Sequence, residues 1–170
     1  MTIIGADRPG LVGELSAVIA EHGGNWLESR MAHLGGQFAG ILRVEAPAEK
    51  GEALLGALRA LQARGLYVHV QRDAPVAAGA VSGRRAVIEL VGQDRPGIVR
   101  QISHVLAKHN VNVEELSSEC HSAPMSGETL FKAKVRVLIP ETLPLARLRT
   151  ALEEITADLM VDISVMPETP

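Results

Sequence analysis

The stretch GADRPGLVGEL at residues 5–15 recurs 87 residues later as GQDRPGIVRQI at residues 92–102. The order Asp-Arg-Pro-Gly is the same in both copies, and each copy continues with apolar residues at helical spacing. Identical pairs extend at this offset as far as Glu28 and Glu115. A phrase repeated together with its surroundings indicates a duplicated structural unit.

The duplication covers a whole small domain. Residues 38–68 match residues 131–161 at an offset of 93, so the second copy holds six extra residues in or near HSAPMSGET. Each copy is about 75 to 80 residues long, which is the size of a small domain rather than of a solenoid repeat. We therefore predict a first domain at residues 1–72, a linker at residues 73–83 (DAPVAAGAVSG) and a second domain at residues 84–170.

The hydrophobic pattern of each copy predicts the element order βαββαβ. RRAVIELVG at residues 84–92 is a β-branched run typical of a strand, and the proline of DRPG suits the first turn of the following helix. Alternating apolar residues at 131–139 predict the third strand. The last strands are predicted to carry on one face Leu66, Val68 and Val70 in the first copy, and Leu159, Val161 and Ile163 in the second.

This order predicts an α+β protein made of two ferredoxin-like domains with antiparallel sheets. A right-handed crossover leaves the first two strands of a copy parallel with a gap between them, which the third strand can fill. The two helices then cover one face of the sheet. The other face is open or packs against another sheet.

Composition narrows the class of protein. Hydrophobic residues make up 46% of the 170 residues and aromatic residues only 2%, so the core is expected to be aliphatic. The formal charge of −3 argues against a phosphate-binding surface as the main function. A single cysteine, Cys120, excludes an internal disulfide framework. With neither a secretory signal nor a long apolar run, a cytoplasmic location is expected.

The repeated phrase has the chemistry of a small-anion site. Gly10 and Gly97 allow backbone N–H groups to approach a ligand, and unpaired N–H groups at a helix start suit a carboxylate. Asp7 or Asp94 could accept a hydrogen bond from an ammonium group, or could simply cap the helix. The sequence therefore leaves two alternatives, a receptor for a free amino acid and a pair of capping devices.

Two asparagines follow the predicted first helices. Asn25 and Asn112 could hydrogen-bond a ligand from the neighbouring turn, although asparagine is also common in turns that bind nothing. Trp26 could lie near the first site or pack as an ordinary strand aromatic. The residues between phrase and asparagine differ between the copies, so the two sites need not be equivalent.

An enzyme is not favoured. The spacing of Cys120 with His104, His109 and His121 matches no standard metal-ligand pattern, so neither a metal nor a cofactor is expected. Ser126 lies in a glycine-flanked segment, but no base can be named for it. Cys120 is expected to be a small strand or loop residue.

Direct DNA binding is not favoured either. Lys132, Lys134 and Arg136 share one strand face, but such a face is usually solvated. Neither a helix-turn-helix pattern nor an aromatic stacking platform is evident.

The paired DRPG phrases, the helix ends EHGGN and KHNVN and the βαββαβ order closely resemble the ACT domain, a small-molecule-binding regulatory module. Two such domains without an appended catalytic or DNA-binding domain resemble the glycine cleavage system transcriptional repressor family. The segment SAPMSGETLF, residues 122–131, is similar to a loop of that family.

This resemblance implies a non-enzymatic regulator that senses glycine and restrains a transcriptional activator by protein contact. It also places ligand binding at the first strand–helix loop and at a domain interface. The implied ligand-binding residues are Asp7, Arg8, Gly10, Leu11 and Asn25, with Asp94, Arg95, Gly97, Ile98 and Asn112. A homodimer is expected because sheet edges are exposed in this fold. The alternatives are a two-domain interaction scaffold and a regulatory module of an amino-acid or one-carbon metabolic enzyme.

Overall fold

The protein divides into two compact units, Met1–Ala77 and Ala78–Pro170. The computed structural model describes residues 1–72, 82–122 and 128–168. Most of the predicted linker, residues 73–81, lies outside the described residues, and Gly83 already begins a strand. The domain boundaries therefore stay a prediction.

Both units have the predicted order of elements. The first consists of β1 Thr2–Ala6, α1 Leu11–Glu21, β2 Asn25–Leu34, β3 Gln37–Glu45, α2 Gly51–Ala60 and β4 Leu66–His69, with 3₁₀ turns at Ala48–Lys50 and Leu61–Arg64 on either side of α2. The second consists of β5 Gly83–Gln93, α3 Ile98–Lys108, β6 Asn112–Ser122, β7 Thr129–Pro140, α4 Leu145–Leu159 and β8 Val161–Pro167.

The sheets confirm the predicted fold class. Their strand orders are β2-β3-β1-β4 and β6-β7-β5-β8, and every neighbouring pair is antiparallel. The third strand of each unit thus fills the gap between the first two, as the crossover rule requires. The first strand of each unit is central, and the loop that follows it leads directly into a helix.

One face of each sheet is buried under the helices. In β7, Phe131, Ala133, Val135, Val137 and Ile139 are all buried, which confirms the predicted alternation. The first helix of each unit packs residues spaced four apart, namely Leu11, Leu15 and Ile19, and Ile98, Ile102 and Leu106. Apart from Phe131, the buried hydrophobic side chains among the described residues are aliphatic. Burial of one such side chain contributes about 1.5–3 kcal/mol.

The six extra residues of the second copy lie at the β6–β7 hairpin. Leu34 pairs with Gln37 across a two-residue connection, whereas the equivalent residues of the second unit, His121 and Leu130, have eight residues between them. The additional pair of Ser122 with Thr129 extends the hairpin. Residues 123–127, which are half of SAPMSGETLF and include the candidate nucleophile at position 126, lie outside the described residues.

The predicted start of the last strand is wrong in the second unit. Leu159 is the last residue of α4, and it is Val161 that pairs with Gly92, as Leu66 pairs with Gly5. The offset between the copies is therefore 95 here, because two more residues precede this strand in the second unit. Leu66 and Leu159 are both buried leucines, so an offset of 93 fitted the hydrophobic pattern equally well. In the first unit, β4 ends before Val70.

In both units the helical segment before the last strand is followed by a residue in the left-handed region. This residue is Gly65 in the first unit, with φ of 83°, and Met160 in the second, with φ of 52°. A residue with a Cβ is strained there by about 1–2 kcal/mol. The Met160 side chain is exposed, so burial does not offset this strain.

We expect Met160→Gly to raise the free energy of unfolding of the second unit by about 1 kcal/mol, part of the relieved strain being offset by the greater entropy of glycine in the unfolded chain. Chemical unfolding followed by circular dichroism would measure the change. Trp26 is the single tryptophan and lies in the first unit, so its fluorescence transition serves as the control. Gly65→Ala should destabilise the first unit by a similar amount, and unchanged stability in both variants would contradict the argument.

Candidate functional site

The repeated phrase forms the turn from the central strand into the first helix of each unit. We call Asp7–Gly10 and Asp94–Gly97 the DRPG loops. Gly10 has φ 94° and ψ −5°, and Gly97 has φ 99° and ψ −5°, as at the third residue of a type II turn with proline before it. Each helix begins after the glycine, so the prediction that proline occupies its first turn is wrong. The turn requires glycine because of its positive φ.

The start of each helix presents N–H groups to the loop. The Gly10 carbonyl accepts a hydrogen bond from the Glu14 N–H at 2.9 Å, and the Gly97 carbonyl accepts one from Gln101 at 3.0 Å. The N–H groups of the preceding helical residues have no partner within the helix. They lie at the positive end of the helix dipole, where an anion is stabilised.

Neither aspartate of the DRPG loops caps its helix. Among the described residues, no side chain makes a capping hydrogen bond at Gly10 or Gly97, so the capping alternative for Asp7 and Asp94 is wrong. The aspartates instead tie the loop to the neighbouring hairpin through the backbone. The Asp7 N–H donates to the Gly36 carbonyl at 2.9 Å, and the Asp94 N–H donates to the Thr129 carbonyl at 2.8 Å.

The arginines of the two loops have different partners. Arg8 donates to both carboxylate oxygens of Glu14, at 2.6 and 2.8 Å, and Arg64 contacts the same carboxylate at 3.0 Å. The hydrogen bond from Arg8, aided by the charge of Arg64, lowers the pKa of the Glu14 carboxyl, and the same bond raises the pKa of Arg8. Arg95 donates to the amide oxygen of Gln93 at 3.0 Å.

The side chains of two further predicted residues, Leu11 and Ile98, belong to the hydrophobic core. Leu11 and Ile98 are the first residues of their helices, and both side chains are buried in the core. Only their backbone N–H groups can face a ligand at the loop. A Cβ placed on Gly10 or Gly97 would have nothing within 4 Å, so the described residues leave space above each loop.

The asparagines lie at the opposite end of the sheet from the loops. Ala6, just before the first loop, pairs with Gln37, whereas Asn25 pairs with Glu45 at the other end of β3. Glu45 lies eight positions after Gln37 along β3, which corresponds to roughly 26 Å. Asn112 is separated from the second loop in the same way, since Gln93 pairs with Leu130 and Asn112 with Leu138. The expectation that each asparagine borders its own loop is wrong.

The repeated helix ends EHGGN and KHNVN are explained by helix termination. The Gly23 and Gly24 N–H groups donate to the carbonyls of Ala20 and Ile19, each at 2.8 Å. In the second unit, the N–H groups that follow His109 donate to Ala107 and Leu106 at 3.0 and 2.9 Å. These pairs of bonds are the Schellman pattern. The similarity of EHGGN and KHNVN to the ends of ACT domain helices therefore reflects how these helices terminate.

An apolar groove of the second unit was not predicted from the sequence. It lies between α3 and the β6–β7 side of the sheet, and it is lined by Leu90, Val99, Ile102, Ser103, Leu106, Val113, Leu116, Phe131, Ala133 and Val135. Val113 stands where the first copy has Trp26, a residue that packs partly buried against the first core. The smaller side chain of valine, at a position where the first copy has tryptophan, is the feature of the sequence that could have indicated the groove.

The strand face that could have bound DNA carries carboxylates as well as cations. Lys134 lies 3.5 Å from Glu89. Arg136 contacts Glu115 at 3.2 Å and also pairs with Glu168, and these hydrogen bonds raise the pKa of Arg136. Lys132 is the cross-strand partner of Glu119. Phosphate binding by this face would have to compete with these carboxylates.

The candidate metal ligands do not form a cluster in the described part of the chain, where no three His, Cys, Asp or Glu side chains come within reach of one ion. His104 lies in α3, and His109 is the C-cap of that helix. Cys120 is exposed on β6, and the neighbouring His121 lies 2.6 Å from Glu119. Among the described helices, none has the length and apolarity needed to span a bilayer.

Comparison with known proteins identifies similar domains in both halves. An ACT domain model matches residues 1–71, and a second ACT domain model matches residues 86–157. A UPF0237 protein of Methanopyrus kandleri is 38% identical over 85 residues, which cover 49% of this chain and 88% of that protein.

Two solved structures share the fold along almost the whole chain. The crystal structure of an unknown protein from Galdieria sulphuraria is 33% identical with a TM-score of 0.86, covering 99% of this chain and 96% of that one. A proposed glycine cleavage system transcriptional repressor is 19% identical with a TM-score of 0.74, covering 99% and 95%. At 19% identity the second similarity concerns the fold alone.

The positive φ of the DRPG glycine predicts opposite effects of alanine at two positions near the start of α1. Gly10→Ala should lower the free energy of unfolding of the first unit by about 1–2 kcal/mol through backbone strain. Gly13→Ala, in the first turn of the helix, should raise it by about 0.5–1 kcal/mol, because alanine favours the helix and no described atom lies within 4 Å of the new Cβ. Urea unfolding followed by Trp26 fluorescence measures both, and effects of the same sign would contradict this account.

Acid should weaken the first unit through Glu14. Because the pKa of its carboxyl is lower in the folded unit than the ordinary value of 4.5, the stabilisation is complete above that value and is lost as the pH falls through the lowered pKa. The difference in unfolding free energy between wild type and Glu14→Gln should therefore shrink between about pH 6 and about pH 3. Glu21→Gln, at the other end of α1, is the matched control. A difference that does not change with pH would contradict the role of the ion pair.

Proposed function

The chain belongs to the ACT domain family in both of its halves, and from this premise we propose that it is a non-enzymatic regulatory protein that senses a small amino acid and acts by binding another protein. The ligand would bind at a DRPG loop, and its binding would change the affinity for the protein partner. Coupling of this kind typically amounts to about 1–3 kcal/mol.

One observation carries this proposal: each DRPG loop combines groups that complement both ends of an amino-acid zwitterion. The uncapped N–H groups at the helix start and the arginine suit a carboxylate. The aspartate, which does not cap the helix, suits an ammonium group. The open space over the loop glycines provides room for a small ligand.

Glycine is the favoured ligand, and a transcriptional activator is the favoured protein partner. The support for both is the similarity in fold to a proposed glycine cleavage system transcriptional repressor. The cationic face of the second sheet carries paired carboxylates, which favours action through a protein rather than through direct DNA binding.

A homodimer belongs to the proposal because one amino acid cannot reach from a DRPG loop to the asparagine of the same unit, roughly 26 Å away. A second copy of the chain can supply that asparagine. Edge strands suited to such an assembly are present, since β2 and β6 each pair with one strand in the described sheets. All residues of β6 are exposed.

Exposed apolar residues favour an interaction scaffold as the second candidate function. Ile4, Ile41 and Tyr67 are exposed on the first sheet, where Ile4 pairs directly with Tyr67. Groups of exposed apolar side chains often mark protein-binding surfaces. A scaffold would use these surfaces without requiring an amino acid at the loops.

Calorimetric titration of the full chain with glycine, serine, alanine and leucine separates the two candidates. We expect saturable binding of glycine, weakened at least ten-fold by alanine at Asp7 or Asp94, whichever loop binds, because the ammonium partner is lost; ten-fold corresponds to about 1.4 kcal/mol. Glu153→Ala, on the exposed side of α4, is the control. Failure of all four amino acids to bind would contradict the sensor and favour the scaffold.

A further inference from the structure

The two DRPG loops share a backbone conformation but differ in the side chains around them. Glu14 and His33 stand beside the first loop. The residues 87 positions later are Gln101 and Cys120. Gln101 has a neutral amide in place of the Glu14 carboxylate, and Cys120 has a thiol in place of the His33 imidazole. Such differences at equivalent positions of a duplicated domain indicate whether the two loops can bind the same ligand.

In the first unit, the arginine of the loop already holds a carboxylate. Glu14 binds Arg8 through two parallel hydrogen bonds of 2.6 and 2.8 Å, the geometry that a ligand carboxylate would adopt. The Glu14 side chain is only 18% exposed, and Arg64 holds it from the other side at 3.0 Å. The lowered pKa of Glu14 keeps it ionised in neutral solution.

The aspartate of the first loop has an internal partner as well. The Oδ2 atom of Asp7 lies 3.7 Å from the Nε2 atom of His33 on β2. At this distance the His33 imidazole occupies the position from which the ammonium group of an amino acid would approach Asp7.

Among the described residues of the second unit, the corresponding groups have no ionic partners of this kind. Arg95 contacts the neutral amide of Gln93, and the part of the chain that the structure describes provides no carboxylate for Arg95 and no cation for Asp94. The charges from the loop through the following helical turn also differ. They sum to −1 for Asp7, Arg8 and Glu14 at residues 7–14, and to +1 for the three charged residues at 94–101, which include Arg100. With Arg64 beside Glu14 the first loop is close to neutral, so an anion is attracted more strongly to the second loop than to the first.

We propose that the first DRPG loop is occupied by the protein's own side chains, with Glu14 in place of a ligand carboxylate and His33 in place of its ammonium group, so that the amino acid binds at the second loop only. The residue four positions after the loop glycine, Glu14 or Gln101, then determines whether a loop binds a ligand. This inference rests on the proposed function, since it assigns the amino-acid site to one of two repeats. The first unit keeps the same loop as a structural element.

The first test measures the stoichiometry and the affinity of glycine for the full chain by calorimetry. We expect one glycine per chain, loss of binding in Arg95→Ala, and affinity within two-fold of wild type in Arg8→Ala. Backbone amide NMR shifts should move around residues 94–101 and not around residues 7–14. Two equivalent glycines per chain, or loss of binding in Arg8→Ala alone, would overturn the assignment.

The second test exchanges the residues between the repeats. Gln101→Glu should weaken glycine binding at least ten-fold, because the new carboxylate competes for Arg95, whereas the neutral Gln101→Met control should stay within two-fold of wild type. The double variant Glu14→Gln, His33→Cys should bind a second glycine, with new amide shifts around residues 7–14. Circular dichroism verifies that each variant is folded.

The outcomes separate this inference from the proposed function. Unchanged affinity in folded Gln101→Glu, or a double variant that still binds a single glycine, would overturn the role of Glu14 and Gln101 while leaving the sensor intact. Binding of glycine to wild type at the first loop would overturn this inference, including the occupancy of that loop by Glu14 and His33, while leaving the sensor intact. Failure of wild type to bind any of the four amino acids would overturn the proposed function, and this inference with it.

Discussion

The left-handed backbone at Gly10 and Gly97 is the constraint on which the rest of each unit depends. It turns the chain sharply at the end of the central strand, so that the first helix returns over the sheet and buries its apolar stripe. It also starts the helix without a capping side chain, which leaves N–H groups at the positive end of the dipole facing solvent. The same turn thus serves the fold and creates the candidate site, because a residue with a Cβ would be strained in this conformation.

Duplication preserved this turn while its surroundings diverged. Both units have the same strand order, and both tie the loop aspartate to the hairpin through a backbone bond. The contacts that differ are made by side chains. Glu14 holds Arg8 in one unit, and in the other Arg95 contacts only a neutral amide among the described residues. Trp26 packs against the first core, and Val113 leaves a groove at the equivalent place in the second. A stable turn can therefore be retained in both copies while ligand binding is confined to one.

In the second unit, the charged side chains and the apolar groove lie on different faces of the sheet. The open face of its sheet carries lysine and arginine residues neutralised by glutamates, an arrangement that resists nonspecific attraction to nucleic acid. The groove beside α3 is apolar and lies on the helix side of the sheet. The DRPG loop lies at the end of the central strand, close to Val99 at the start of the groove. An amino acid at the loop and an apolar contact in the groove are thus compatible within one unit.

The sequence by itself determined the duplication, the βαββαβ order, the aliphatic core and the position of the loop. These features are encoded locally, in hydrophobic periods of two or about four residues and in glycines whose conformation few other residues adopt. Even so, a pattern shared by two leucines placed Leu159 in the wrong element, since a buried helix end and a buried strand start look alike in one dimension. Only the tertiary structure decided which residues meet at the site. It separated Asn25 from its loop by the length of β3, brought Arg64 to the Glu14 carboxylate that Arg8 binds, and set His33 beside Asp7. These neighbours come from different elements, so their distances depend on strand register and helix packing, which no local pattern specifies.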